Sequence, residues 1–270
     1  MEGFGLKPLR LEFNAVGLVP EHQYRDQAIA NAQAGYPTIQ MAGPHQTPLA
    51  VVGGGPSAAV ALPELKDWKG HIWAINQSAS WLSHMAPRAL TWLFTVDPDE
   101  LMASPQYTVG VERAILASSC HPKLFEALRD KPVQMFHTYE LPDVECMNFG
   151  GPSSVCRTFL PALWMGYTDV TYFGCEGSFE DATHAYRDET RPNQMIVRAG
   201  GVDYVTTPDL YLTTQYLADV IREFPKVLKE KSGGLLRAMI EHPDSWEVVA
   251  LSSALRDKLD PTATVLYDQP

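Results

Sequence analysis

The sequence predicts an α/β fold: a Rossmann-like, mainly parallel sheet with helices on both faces and a helical C-terminal region. Short, continuous apolar runs recur between residues 49 and 173, as strands buried on both faces require. Helix-compatible segments separate several of these runs, and such alternation implies parallel strands joined by crossovers. A glycine-rich loop directly follows the first run, at the position where an open parallel sheet receives ligands.

Residues 1–46 carry scattered apolar residues, with Pro8, Pro20, Pro37 and Pro44, and no sustained period of 2 or 3.6. They read as an irregular extension wrapped on the main domain. Residues 47–200 form that domain. Its first strand, Leu49-Ala50-Val51-Val52, is stopped by Gly53-Gly54-Gly55-Pro56, and similar runs follow at His71–Ile75, Leu90–Val96, Ala114–Ala117, Val133–Phe136 and Val170–Phe173. A helix with Val155, Phe159, Leu163 and Trp164 on one face precedes the last of these, and Pro161 should bend or break it. In residues 201–270, Pro208 to Phe224 reads as a helix with Leu210, Leu217, Val220, Ile221 and Phe224 on one stripe. Leu235 to Ile240 reads as a second helix, so this region is expected to be helical and packed beside the sheet.

Composition narrows the function classes. Hydrophobic residues make up 45% and charged residues 20%, which excludes wholesale disorder. Lys and Arg number 21 against 32 Asp and Glu, a net charge of −11, so the overall field repels polyanions and duplex nucleic acid is not an expected partner. No window approaches the run of about 20 apolar residues that a membrane helix needs, and the start lacks a basic segment followed by an apolar one. No membrane association and a cytoplasmic location are therefore expected. Cys120, Cys146, Cys156 and Cys175 form no CxxC pair, so reduced and mostly buried thiols are expected rather than zinc ligands or disulfides.

Five segments could carry chemistry. Gly53-Gly54-Gly55-Pro56-Ser57-Ala58 formally matches GxGxxA, and its glycines would let backbone amides approach a phosphate. A ribose-binding Asp or Glu about 20 residues further on is missing, since the second strand ends at Asn76-Gln77, and no GK[ST] follows the glycines. A tight turn without a ligand is the competing reading. Asn76 and Gln77 could read a base or ribose edge without adding charge, or simply form a turn. Thr95-Val96-Asp97-Pro98-Asp99-Glu100 could hold Mg²⁺ against phosphates, or begin a helix with Asp97 as cap and Pro98 at the first helical position. Gly150-Gly151-Pro152-Ser153-Ser154 offers paired hydroxyls for a phosphate or carboxylate, or an ordinary serine cap. Finally, the strand ending at Phe173-Gly174 delivers Glu176, and the polar loop beyond it carries His184 and Tyr186, groups suited to acid–base work.

In this order, Val51–Ser57, Ala74–Gln77, Val96-Asp97, Ser153-Ser154, Gly166-Tyr167, Phe173–Glu176 and Thr183-His184 resemble the MptE-like family. That family is named for archaeal 6-hydroxymethylpterin diphosphokinases and includes the motility-accessory (Maf) flagellin glycosyltransferases. The segments are also similar to those of bacterial sialyltransferases that use CMP-sialic acid. The likeness covers roughly residues 47–190. It implies a nucleotide-binding transferase domain in which Gly53, Gly54, Gly55, Pro56 and Ser57 meet the nucleotide and Asn76, beside Gln77, contacts its base or ribose. Ser153 and Ser154 would hold phosphate, Tyr186 would join them in binding the nucleotide, and His184 and Glu176 would be catalytic, His184 as the base or the phosphate-stabilising group. Cys175-Glu176 stands where the family commonly has an apolar residue and then Asp, and Ala185 separates His184 from Tyr186, which are adjacent in the sialyltransferase pattern. Three activities follow as expectations: glycosyl transfer from a CMP-type nucleotide sugar; diphosphoryl transfer from ATP to a pterin-like alcohol, with Mg²⁺ at Asp97 and Asp99; or a non-catalytic nucleotide-binding or assembly module.

Overall fold

The structure, a computed structural model, describes residues 19–87, 91–138, 141, 146–147, 151–179, 185 and 193–251. In chain order the elements are α1 (Glu21–Gln33), β1 (Leu49–Val52), α2 (Ser57–Val60), α3 (Leu62–Lys66), β2 (His71–Ile75), α4 (Gln77–Met85), β3 (Thr91–Thr95), α5 (Pro105–Thr108), β4 (Ala114–Ala117) and α6 (Pro122–Ala127). There follow β5 (Val133–Phe136), α7 (Phe159–Trp164), β6 (Val170–Phe173), β7 (Met195–Ala199), β8 (Val202–Thr206), α8 (Pro208–Glu223), β9 (Leu228–Glu230), α9 (Gly234–Glu241) and β10 (Trp246–Leu251).

Seven strands form one sheet in the order β5-β4-β3-β2-β1-β6-β9, and every pairing in it is parallel. This is the α/β Rossmann-like arrangement that the apolar runs predict. β1, β4 and β6 are buried at every residue, because helices lie around the sheet and no strand face meets water there. Trp73 stacks on Phe94 with ring centroids 5.3 Å apart, and Phe94 stacks on Phe136 at the same distance, which binds β2, β3 and β5 through one aromatic row. Full burial of each such ring contributes about 1.5–3 kcal/mol.

Three local differences from the sequence reading have physical causes. The N-terminal extension contains α1, whose buried residues are Gln27, Ala28 and Asn31 rather than an apolar stripe. It docks by polar contacts: Asn31 donates from Nδ2 to the carbonyls of Ser118 and Cys120, both at 2.7 Å, and Gln27 donates to the Pro98 carbonyl at 3.2 Å. The region after residue 200 is not helical alone. β9 joins the parallel sheet, and β7 pairs antiparallel with β8 and β10 in a second, three-stranded sheet. Tyr211 of α8 meets Trp246 edge-on at 5.7 Å and ties that small sheet to the helices. The helix read from Val155 to Trp164 is divided: a short 3-10 turn over Cys156–Thr158 precedes α7, and Pro161 stands in the first turn of the α-helix, where its missing N–H costs no internal hydrogen bond. α8 buries Tyr211, Thr214, Leu217, Ala218, Val220 and Ile221, while Leu210 and Phe224 stay partly exposed. No helix among the described residues is long and apolar enough to cross a membrane.

Candidate functional site

The chain builds β1 to β5 outward in one direction and then returns to place β6 on the other side of β1, so the topological switch lies between β1 and β6. In open parallel sheets that switch, at the carboxyl ends of the strands, is where ligands bind. Register fixes what stands there. Val52 is level with Ala74 and with Phe173, and Ile75 is level with Phe94, so Gly53–Ser57, Asn76-Gln77, Val96-Asp97 and Gly174–Glu176 all emerge at one edge.

Between β1 and β6 the crevice is filled by the chain itself. Gly53 donates to the Phe173 carbonyl and Gly55 to the Gly174 carbonyl, both at 2.8 Å. A Cβ on Gly53 would lie 2.3 Å from the Gly174 oxygen, and one on Gly55 would lie 2.2 Å from Glu176 Oε2. Neither glycine has positive φ, so close approach is what excludes a side chain at both positions. Glu176 is 7% exposed, and its carboxylate accepts the Ser57 amide on Oε1 and the Ser57 hydroxyl on Oε2, each at 2.8 Å. The protein's own carboxylate therefore holds the donors of Ser57 that the sequence offers to a phosphate. Burial pushes the Glu176 pKa up, against the pull of the Ser57 hydrogen bonds.

On the other flank of β1 the polar groups are unpaired. Asn76 ends β2 with φ 51° and ψ −126°, and among the described residues it is the one non-glycine with positive φ. That sharp strand-to-helix turn carries strain of order 1–3 kcal/mol, of the kind that collects at functional sites. Asn76 Oδ1, Gln77 Oε1 and Ser78 Oγ are buried without a hydrogen-bond partner in the protein, as is Ser118 Oγ at the end of β4. Buried polar atoms are normally satisfied, so three successive orphans at a sheet edge point to a ligand or ordered water.

Ser154 reaches the same edge, its Oγ accepting the Val96 amide at 3.2 Å, while Ser153 donates to Cys156 Sγ at 3.5 Å. Asp97 does not cap the 3-10 turn over Glu100–Ala103 that follows it. Its Oδ1 accepts the Asp99 amide, and Asp99 is the cap, accepting from Leu101 at 2.9 Å. Two acids two residues apart make that possible, and Pro98 between them has no N–H to contribute. Burial raises the Asp97 pKa. Among the described residues no group of three His, Cys, Asp or Glu side chains stands close enough to hold a metal ion. The four cysteines are free, with Cys120 and Cys156 fully buried.

Sequence reading overlooks Arg157. It is half-buried, donates from Nε to the Gly151 carbonyl at 3.0 Å, and leaves Nη1 buried and unpartnered. Tyr216 of α8 lies against Gly151, where a Cβ would come within 2.7 Å of its ring, and its own hydroxyl is buried and unpartnered. A separate cleft of about 490 Å³ opens on the β9 side of Ser57, lined by Glu64, Phe173, Lys231, Ser232 and Arg237. Its cations are engaged, Lys231 with Glu64 at 2.5 Å and Arg237 with Glu230 at 2.9 Å.

Gly53, Gly54, Gly55, Pro56, Ser57, Asn76, Gln77, Asp97, Ser154 and Glu176 thus share one edge. His184 and Tyr186 lie outside the described residues. Ala185, between them in sequence, donates its amide to the Gly54 carbonyl at 2.9 Å.

No protein-family model and no curated protein sequence matches the chain. Among solved structures, the fold is similar to that of the Maf glycosyltransferase from Magnetospirillum magneticum AMB-1, with a TM-score of 0.59 and 15% identity over 79% of this chain. The match spans 37% of that protein, so the likeness is one of fold and covers little more than a third of the larger enzyme.

Proposed function

We propose that the chain is a transferase that takes a nucleotide-activated donor, a CMP-type sugar, at the edge formed by Gly54, Asn76 and Ser154. The observation that carries this reading is the strained Asn76, with the unpaired polar atoms of residues 76–78, beside a glycine loop at the switch of a parallel sheet. The neighbouring fold in a glycosyltransferase supports it. Uncharged amide and hydroxyl groups suit the base and ribose, and they need no positive surface on a chain of net charge −11.

In the reaction, the bond between the sugar's anomeric carbon and the donor phosphate oxygen breaks, and a bond from that carbon to an acceptor hydroxyl oxygen forms. The nucleoside monophosphate leaves with the electron pair, and the hydroxyl of Ser154 and the backbone amides around it stabilise the charge it gains. The acceptor proton goes to His184, whose ordinary pKa of about 6.5 suits a general base near neutrality. Ala185, next to it in sequence, donates its amide to the Gly54 carbonyl, which supports that role. Glu176 is a positioning residue, holding Ser57 and the loop in place.

A thermal-shift panel of CMP, CDP, UDP, ATP and NAD, each with and without Mg²⁺, tests the reading. At about 100 times its Kd a ligand adds about 2.7 kcal/mol, or roughly 5–10 °C in Tm for a chain of this size. CMP is expected to give that shift without Mg²⁺ and to lose it in Asn76→Ala. A response to ATP only in the presence of Mg²⁺ would replace glycosyl transfer with diphosphoryl transfer, and a response to NAD alone would overturn both.

A further inference from the structure

Arg157 is a half-buried arginine that meets no carboxylate among the described residues. Among the described residues, Lys123 pairs with Glu100, Arg198 with Asp203, Arg222 with Asp219, Lys229 with Asp169, Lys231 with Glu64 and Arg237 with Glu230. Most of those pairs lie in partly or fully exposed positions, where an ion pair contributes little. Arg157 is harder to leave alone, because burial opposes its charge, and yet no acidic side chain among the described residues is set against it. Among the described residues its side chain donates to the Gly151 carbonyl alone, leaving buried Nη1 without a partner. A second buried donor, the Tyr216 hydroxyl, is unpartnered on the adjoining helix face. Both groups border Gly151 and each lies within the other's electrostatic reach, and two such orphaned donors would be a fault in a structural core. As a binding site they are complementary to one class of group, an anion with several acceptor oxygens.

The surroundings identify the anion. Arg157 follows Ser153 and Ser154 by one turn of chain, and Ser154 touches the Val96 amide at the end of β3, the strand next to the one that Asn76 terminates. α8 closes the arrangement: the Thr213 carbonyl accepts from Cys156 Sγ, Thr214 packs on Gly177 just beyond Glu176, and Tyr216 packs on Gly151. The arginine thus stands on the loop that borders the nucleoside-reading edge. A guanidinium presents parallel N–H groups that match two phosphate oxygens at once, and in a chain of net negative charge an anion needs such a local cation.

We propose that Arg157 and Tyr216 form a phosphate subsite that holds the phosphate of the nucleotide, a proposal that rests on the nucleotide-donor reading above. Arg157 neutralises the phosphate, Tyr216 donates its hydroxyl to it, and the orphaned donors find their acceptors when it binds.

Isothermal titration of the whole chain with cytidine, CMP and inorganic phosphate tests it, using wild type, Arg157→Met and Tyr216→Phe. Wild type is expected to prefer CMP to cytidine by about tenfold to a hundredfold, the usual worth of a charge-assisted phosphate contact. Arg157→Met should bind cytidine as wild type does, lose the preference for the phosphate and fail to bind inorganic phosphate. Tyr216→Phe should lose about threefold to tenfold for CMP alone. If Arg157→Met keeps the CMP preference, the subsite is wrong while the donor reading stands. If wild type binds phosphate through Arg157 but neither cytidine nor CMP, the subsite stands and the donor reading falls. If wild type binds none of the three, both fall. Should Arg157→Met not fold, Tyr216→Phe decides, and an unchanged CMP-to-cytidine ratio in that variant overturns the proposal.

Discussion

Replacing Gly55 by alanine asks why the glycine loop contains glycine. The backbone there needs no positive φ, so on conformational grounds alone alanine would be tolerated and would even gain about 0.4–1 kcal/mol from a less disordered unfolded chain. The added methyl carbon, however, would lie 2.2 Å from Glu176 Oε2 and 2.5 Å from Oε1, more than 1 Å inside ordinary contact. The Glu176 side chain cannot swing clear cheaply. It is 7% exposed, and a Cβ on Gly234 would lie 2.7 Å from its own Cβ, so the backbone of α9 closes the other side. Moving the carboxylate breaks both hydrogen bonds from Ser57, each worth about 1.5–3 kcal/mol to a charged acceptor. Gly55→Ala is therefore expected to cost about 3 kcal/mol in urea unfolding. In a Glu176→Ala background the clash is gone, and Gly55→Ala should be neutral or slightly stabilising. The coupling energy of this double-mutant cycle, about 3 kcal/mol, lies at the top of the range for residues in contact. Additive effects within about 0.5 kcal/mol would refute the assignment of Gly55 to Glu176 and return the glycine to a ligand.

Three further outcomes are expected. Asn76→Gly should hold or raise Tm, because glycine adopts φ 51°, ψ −126° without strain, while nucleotide affinity falls at least about tenfold; calorimetry on the same samples checks both. Glu176→Gln keeps an acceptor for the Ser57 amide and a donor for its hydroxyl but removes a buried charge. Since the folded pKa is raised above the ordinary 4.5, the wild-type carboxyl stabilises the fold fully below that value and loses its contribution as pH rises through the folded pKa. Glu176→Gln should therefore gain on wild type in urea unfolding from pH 4.5 towards neutrality, and a wild type that gains on the variant over that interval would contradict the cause assigned here. His184→Ala should lower turnover by about 10²–10⁴-fold with nucleotide affinity and Tm nearly unchanged, measured by release of nucleoside monophosphate from the donor.

Much of the fold was legible because the strands are buried on both faces, so Leu49–Val52, Ala114–Ala117 and Val170–Phe173 read as unbroken apolar runs. α1 was not legible, since Gln27 and Asn31 dock it by hydrogen bonds and leave no apolar period to detect. β9 is three residues long, too short for alternation to show. At the site, the carboxyl ends of strands marked Gly53–Ser57 and Asn76 from sequence alone. That Glu176 meets Ser57 across 119 residues depends on the placement of β6 beside β1, which no local pattern states. Arg157 was invisible for a different reason: it stands out by meeting no acid among the described residues, a relation in space, and sequence records only neighbours along the chain.

The most direct measurement of the central claim is a crystal structure of the chain with CMP bound. The nucleoside is expected over the carboxyl ends of β1 to β3, with its base or ribose on the Asn76 amide and its phosphate towards Ser154 and Arg157, while Glu176 keeps both hydrogen bonds to Ser57. CMP lodged instead in the cleft between Glu64, Lys231 and Arg237, or held by the Ser57 amide with Glu176 displaced, would contradict it.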